Sequence, residues 1–163
     1  MTKRIVRRKG QQPLGFASPL LARILSSRGV VNADDLDHSL KGLLAPDSLL
    51  GIGKAAKMLA EALETDSSIL IVGDFDADGA TSCTLMVTAL RAMGARQVNY
   101  LVPDRFKFGY GLTPEIVDVA VQFKPDVIVT VDNGIASVEG VAHANTLGIS
   151  VVVTDHHLPG KQL

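Results

Sequence analysis

The feature that most constrains this chain is a set of short, wholly apolar runs, each followed by an acidic residue. Ile69-Leu70-Ile71-Val72, Val127-Ile128-Val129-Thr130-Val131 and the run 149–153 show no polar alternation, and 97–102 is a weaker fourth. Runs of this kind suit strands covered on both faces of a parallel sheet. Helical segments lie between them, at about 80–93, 114–123 and 137–147, with Thr113-Pro114 and Ser137 as suitable starts. The alternation β-α-β-α-β-α-β predicts a doubly wound α/β sheet with right-handed crossovers.

Composition agrees with such a core. Hydrophobic residues make up 47% and charged residues 20% of the 163 positions, which excludes disordered and collagen-like chains. That length suits about one domain. No apolar run approaches the roughly 20 residues that span a bilayer. With five Phe, two Tyr and no Trp, the core must be aliphatic. The single cysteine, Cys83, excludes a disulfide framework and a CxxC zinc site, and a reduced, cytoplasmic setting is expected. Lys3, Arg4, Arg7, Arg8 and Lys9 form a basic arm on an otherwise acidic body. The arm is either a solvated tail or a contact for a phosphate backbone.

Residues 18–65 read as helical. Ser18 with Pro19 starts one helix, and Asn32 caps a second through Leu43. A third runs from Ile52 to Glu64 with Ala56, Leu59, Ala60 and Leu63 on one side. The expected organisation is a basic arm and helical lead-in at 1–66 and an α/β domain at 67–163. His38 and His143 fall in predicted helices as ordinary helix residues, and Cys83 is expected to be buried on the first crossover helix.

The chemistry falls after the strands. Asp74, Asp76 and Asp78 follow the first in Gly73-Asp74-Phe75-Asp76-Ala77-Asp78-Gly79. Asp132 follows the third in Asp132-Asn133-Gly134, and Asp155-His156-His157 follow the fourth. Parallel strands bring their carboxyl ends to one edge, where open α/β sheets bind ligands. Carboxylates gathered there repel one another unless a cation neutralises them. Oxygen-rich donors with one or two imidazoles suit Mn²⁺ or Mg²⁺, and two such ions form a clamp for phosphoryl transfer. The opening Asp-x-Asp-x-Asp-Gly also matches the start of an EF-hand loop, but its twelfth position is Leu85 and a strand precedes it. Asp76-Ala77-Asp78-Gly79 matches the haloacid-dehalogenase signature too, but Asp-Asn-Gly and Asp-His-His do not fit that family's later motifs.

Together the three motifs resemble the DHH phosphoesterase family, and within it the single-strand-specific exonucleases. Pro103-Asp104-Arg105-Phe106, Gly109-Tyr110-Gly111-Leu112, the run 155–160 and Ser27-Arg28-Gly29-Val30 extend the resemblance over nearly the whole chain. It implies a Rossmann-like parallel-sheet domain that hydrolyses single-stranded DNA from the 5′ end to 5′-mononucleotides in recombination and repair. Asp76, Asp78, Asp132 and His156 would ligate Mn²⁺ or Mg²⁺. His157 would face the scissile phosphate, Asp155 would orient the His pair, and Asp74 would stand behind the ligands. Arg105, Thr81, Ser82 and Asn133 are candidates for substrate binding, and Phe106, Phe108 or Tyr110 for stacking on bases. A plain turn into a helix is an equally open reading for Thr81 and Ser82, and a surface loop is one for Arg105 and each of the aromatics. The implied partners are single-stranded DNA and the single-strand-binding protein, with the chain a monomer. Alternatives are a DHH phosphodiesterase for cyclic dinucleotides or short oligonucleotides, and a non-catalytic nucleic-acid-binding fragment. Many members carry a His four positions before the first Asp ligand, where Val72 stands here. The family also supplies a later Asp ligand and a second domain. Since Asp155-His156-His157 ends six residues before Leu163, a C-terminally truncated chain with weak or no turnover is expected.

Overall fold

The computed structural model describes Arg4, Val6 and residues 14–160. Apart from Arg4, the basic arm lies outside the described residues. Two compact units are present, Met1–Leu49 and Leu50–Leu163.

In the first unit, helix α1 (Pro19–Ser26) begins at Ser18 as expected, but the serine side chain makes no capping bond. The helix expected from Asn32 to Leu43 does not form. Two 3₁₀ turns, Asp34–Leu36 and Leu40–Gly42, take its place, and His38 lies between them. The cause is local side-chain bonding. Asn32 Oδ1 accepts from the Asp35 N–H at 3.1 Å, and Asp35 accepts from Val31 and Asn32. The Asp37 carboxylate then accepts from the Ser39 N–H at 2.9 Å. Such bonds offer the backbone an alternative to the helical ladder.

The second unit is the α/β domain. Its elements run α2 (Ile52–Glu64), β1 (Ile69–Gly73), α3 (Ala77–Ala92), β2 (Val98–Leu101), α4 (Arg105–Phe108), α5 (Pro114–Ala120), β3 (Val127–Val131), α6 (Val138–Thr146) and β4 (Ser150–Thr154). The four strands are all parallel in the order β2-β1-β3-β4. Every residue of β1 and β3 is buried, because alternate side chains enter two different cores. Ile69, Ile71, Val127, Val129 and Val131 pack with Ala62, Cys83, Val87 and Leu90 of α2 and α3. Leu70, Val72 and Ile128 pack on the other face with Ile116, Val117, Ala120 and Ala144 of α5 and α6. Helix α2 therefore belongs to the sheet. By packing, the second compact unit begins at Leu50, ahead of the α/β domain expected at 67–163, because Ala62, with Met58, Leu59 and Leu63, covers the sheet. Arg105, expected in an irregular loop, starts the short helix α4, capped by Asp104 Oδ1 accepting from the Phe106 N–H at 2.9 Å. Among the described residues, no helix is long and apolar enough to cross a membrane.

Candidate metal centre at the carboxyl edge of the sheet

Three strand ends build the site. After β1 the chain turns directly into α3. Asp76 caps that helix, its Oδ1 accepting from the Gly79 N–H at 3.0 Å. Gly79 is required at this turn: a Cβ there would collide with the backbone carbonyl of Asp74. Its N–H bond holds the Asp76 carboxyl below the usual range, with lesser help from Asp132 and the Arg105 charge.

Asp132 follows β3 with φ +63°, a left-handed conformation that Asp tolerates better than most residues. Its N–H donates to the Thr154 carbonyl at 3.0 Å, pinning it to β4. The Asp132 side chain is only 5% exposed and lies 2.8 Å from His156 Nε2. Burial and the neighbouring Asp76 push its carboxyl up, and the imidazole only partly offsets them. Asn133 is buried beside it. Its amide nitrogen donates to the carbonyls of Val72 at 3.0 Å and Val131 at 2.9 Å, tying the ends of β1 and β3 together.

Asp155 follows β4. Its Oδ2 accepts from the Ile135 N–H at 2.9 Å, and its Oδ1 accepts from the His157 N–H at 3.0 Å. The same Oδ1 lies 2.7 Å from His157 Nδ1. Burial pulls the Asp155 carboxyl upward, but these donors outweigh it and hold it below its usual range. In return, the hydrogen bond to Asp155 raises the imidazole of His157 against an opposing effect of burial.

The candidate residues do not all converge. One atom from each of Asp74, Asp76 and Asp132 lies within 4.8 Å of the others, and so does one from each of Asp132, His156 and His157. Asp132 is common to both groups. Asp78 belongs to neither group and stands exposed on the first turn of α3. Residues two apart on a helix do not share a face, so capping by Asp76 turns Asp78 elsewhere. Arg105 is engaged within the chain. It lies 3.4 Å from Asp74 Oδ2 and stacks over Phe75 at 3.8 Å. The hydroxyls of Thr81 and Ser82 donate back to helical carbonyls at Ala77 and Asp78. Asn133, 2% exposed, turns its amide to the strand ends. His143 lies away from the site, 2.8 Å from Asp118. Val72, four positions before Asp76, is buried in the α5–α6 core.

Tyr110, read in the sequence only as a stacking residue, stands between the strand ends. Its hydroxyl donates to the Asp132 carbonyl at 3.2 Å and lies 3.0 Å from His157 Nδ1. Burial and the charges of Asp155, Asp74 and Asp132 push the phenol up to about 12. The sequence signal was the flanking Gly109 and Gly111, both at positive φ.

The donor set fits a hard or borderline divalent cation. It is oxygen-rich with imidazole, and its central carboxylate is buried, crowded by a second one and incompletely neutralised.

Residues 68–163 match the DHH family, N-terminal domain. The chain is 55% identical over 145 residues to the single-stranded-DNA-specific exonuclease RecJ of Salmonella typhimurium, covering 89% of this chain and 25% of the relative. The Escherichia coli RecJ is 54% identical over the same shares of the two chains. A crystal structure of exonuclease RecJ bound to manganese superposes with a TM-score of 0.66 at 39% identity, over 74% of this chain and 31% of that one. The chain thus spans about a quarter of the length of the curated relatives it matches.

Proposed function

The chain belongs to the DHH family, and from that premise we propose that it carries the metal-binding edge of an exonuclease specific for single-stranded DNA. The observation that carries the reading is the buried, under-neutralised Asp132 shared by a carboxylate group and an imidazole group. The relatives' activity and the manganese in the similar crystal structure support it. Asp76, Asp132 and His156 would hold Mn²⁺ or Mg²⁺, with Asp78 on the adjoining helical turn and Asp74 behind them, paired with Arg105. When bound, divalent ions supply an activated water and neutralise charge at the phosphate. The chain's residues do the rest. Asp155 holds the His157 imidazole with its proton at Nδ1. The ring then faces the scissile phosphate or leaving oxygen, and a protonated form donates to it. Arg105 places a guanidinium beside the cluster as a phosphate contact. Thr81 and Ser82 border the same edge as further substrate contacts, whereas the buried Asn133 serves to hold the strand ends. The reaction runs 5′→3′ and releases 5′-mononucleotides. The protein works in the cytoplasm as a monomer, with single-strand-binding protein as a partner in recombination and repair.

The test is mononucleotide release in Mn²⁺ from 5′-labelled single strands and from blunt duplexes by the protein carrying this site. Release is expected from single strands only, and Asp132→Ala should abolish it. Equal rates on both substrates, or an Asp132→Ala variant as active as its parent, would overturn the proposal.

A further inference from the structure

We propose that Tyr110 is a positioning residue whose hydroxyl ties the His157 imidazole to the backbone of Asp132. The inference rests on the reading of His157 as the group that faces the phosphate. A carbonyl only accepts, so the phenolic proton is committed to Asp132, whose carbonyl lies 3.2 Å away. The phenolic oxygen then turns its lone pairs toward the His157 ring, 3.0 Å from Nδ1 and 3.5 Å from Nε2. Asp155 Oδ1, 2.7 Å from Nδ1, is a carboxylate and also only accepts. The carboxylate fixes the neutral ring's proton at Nδ1 and leaves Nε2 to face the substrate, while the hydroxyl holds the edge of the ring.

Asp155 alone suffices to set that tautomer. What Tyr110 adds is a connection between two strand ends. Asp132 closes β3 and His157 follows β4, and the hydroxyl joins them across the site. The rings of Tyr110 and His157 meet edge to face, with centroids 5.6 Å apart. The tyrosine is itself held firmly. Gly109 and Gly111 flank it at φ +79° and +81°. The next residue, Leu112, is 1% exposed and donates its N–H to Ser137 Oγ at 2.9 Å. A Cβ at position 111 would crowd that same Oγ. The segment bearing Tyr110 is thus anchored to the start of α6, so the hydroxyl is a fixed point for the imidazole.

Tyr110→Phe removes only the hydroxyl. With 5′-labelled single strands, kcat is expected to fall about 10-fold, the scale on which partners of a functional imidazole act. KM and the Mn²⁺ dissociation constant should stay within about twofold, since neither a ligand nor a strand contact is lost. In side-chain ¹⁵N spectra of the 163-residue chain, His157 should show one Nδ1–H tautomer. In Tyr110→Phe its Nδ1 proton should exchange faster with water. In a His157→Ala background, Tyr110→Phe should cost nothing further. An unchanged kcat with an unchanged spectrum, an equal loss in both backgrounds, or a loss carried by Mn²⁺ affinity would overturn the proposal. A fully active His157→Ala would instead sink the phosphate-facing reading of His157, while the spectra would still decide the tie to Tyr110.

Discussion

Asp132 and Asp155 close neighbouring parallel strands, and their side chains are about equally buried, at 5% and 1% exposed. Their carboxyls nevertheless shift in opposite directions. Two backbone N–H groups and an imidazole converge on Asp155, so its charge is satisfied by the chain itself. Asp132 is desolvated and crowded by Asp76, with a single imidazole to compensate. Burial alone therefore does not define a metal site. A buried carboxylate rich in donors is an anchor, and one short of them is where a cation belongs.

The largest effect that can break this contrast is on metal affinity. Asp132→Ala should weaken Mn²⁺ binding by more than the roughly 100-fold that losing an outer partner costs, whereas Asp155→Asn should cost only about 10-fold. Calorimetric titration reads both, and equal losses would erase the distinction. Next comes stabilisation by the ion. Mn²⁺ at 100 times its dissociation constant should add about 2.7 kcal/mol to the parent chain and nothing to Asp132→Ala, as seen in thermal melts. In metal-free melts the two sites should then respond with opposite signs. Asp155→Asn should lose about 2 kcal/mol, on the scale of a hydrogen bond to a charged group. Asp132→Asn should relieve repulsion and raise the midpoint by about 2–4 °C, the shift that ~1 kcal/mol gives at this chain length. Loss of stability in both variants would contradict the proposed difference. The smallest effect concerns stoichiometry. With Val72 in the core instead of an imidazole at the site, Mn²⁺ should bind one position more weakly than the other, and a titration with two equally tight ions would count against this.

Much of this arrangement was legible in the sequence, because periodicity and strand-end placement are strong signals. The run 127–131 is β3 residue for residue, and the three motifs do lie at one sheet edge. What escaped depended on side chains competing for backbone groups. Asn32, Asp35 and Asp37 look like the opening of a helix, yet their local bonds stop it within one turn. Asp76 and Asp78 look like a pair until Asp76 becomes a cap. The role of Tyr110 needed three strand ends in place, since its contacts lie 22 and 47 residues away.

The amide of Asn133 has a thermodynamic consequence. It bridges the Val72 carbonyl of β1 and the final carbonyl of β3, at Val131, from a buried position. The distance between the two acidic loops is therefore settled when the sheet folds. An arriving cation does not have to gather its donors from independent, wandering segments, and little ordering entropy opposes its capture. Changing this one uncharged side chain should loosen metal binding without removing a single ligand.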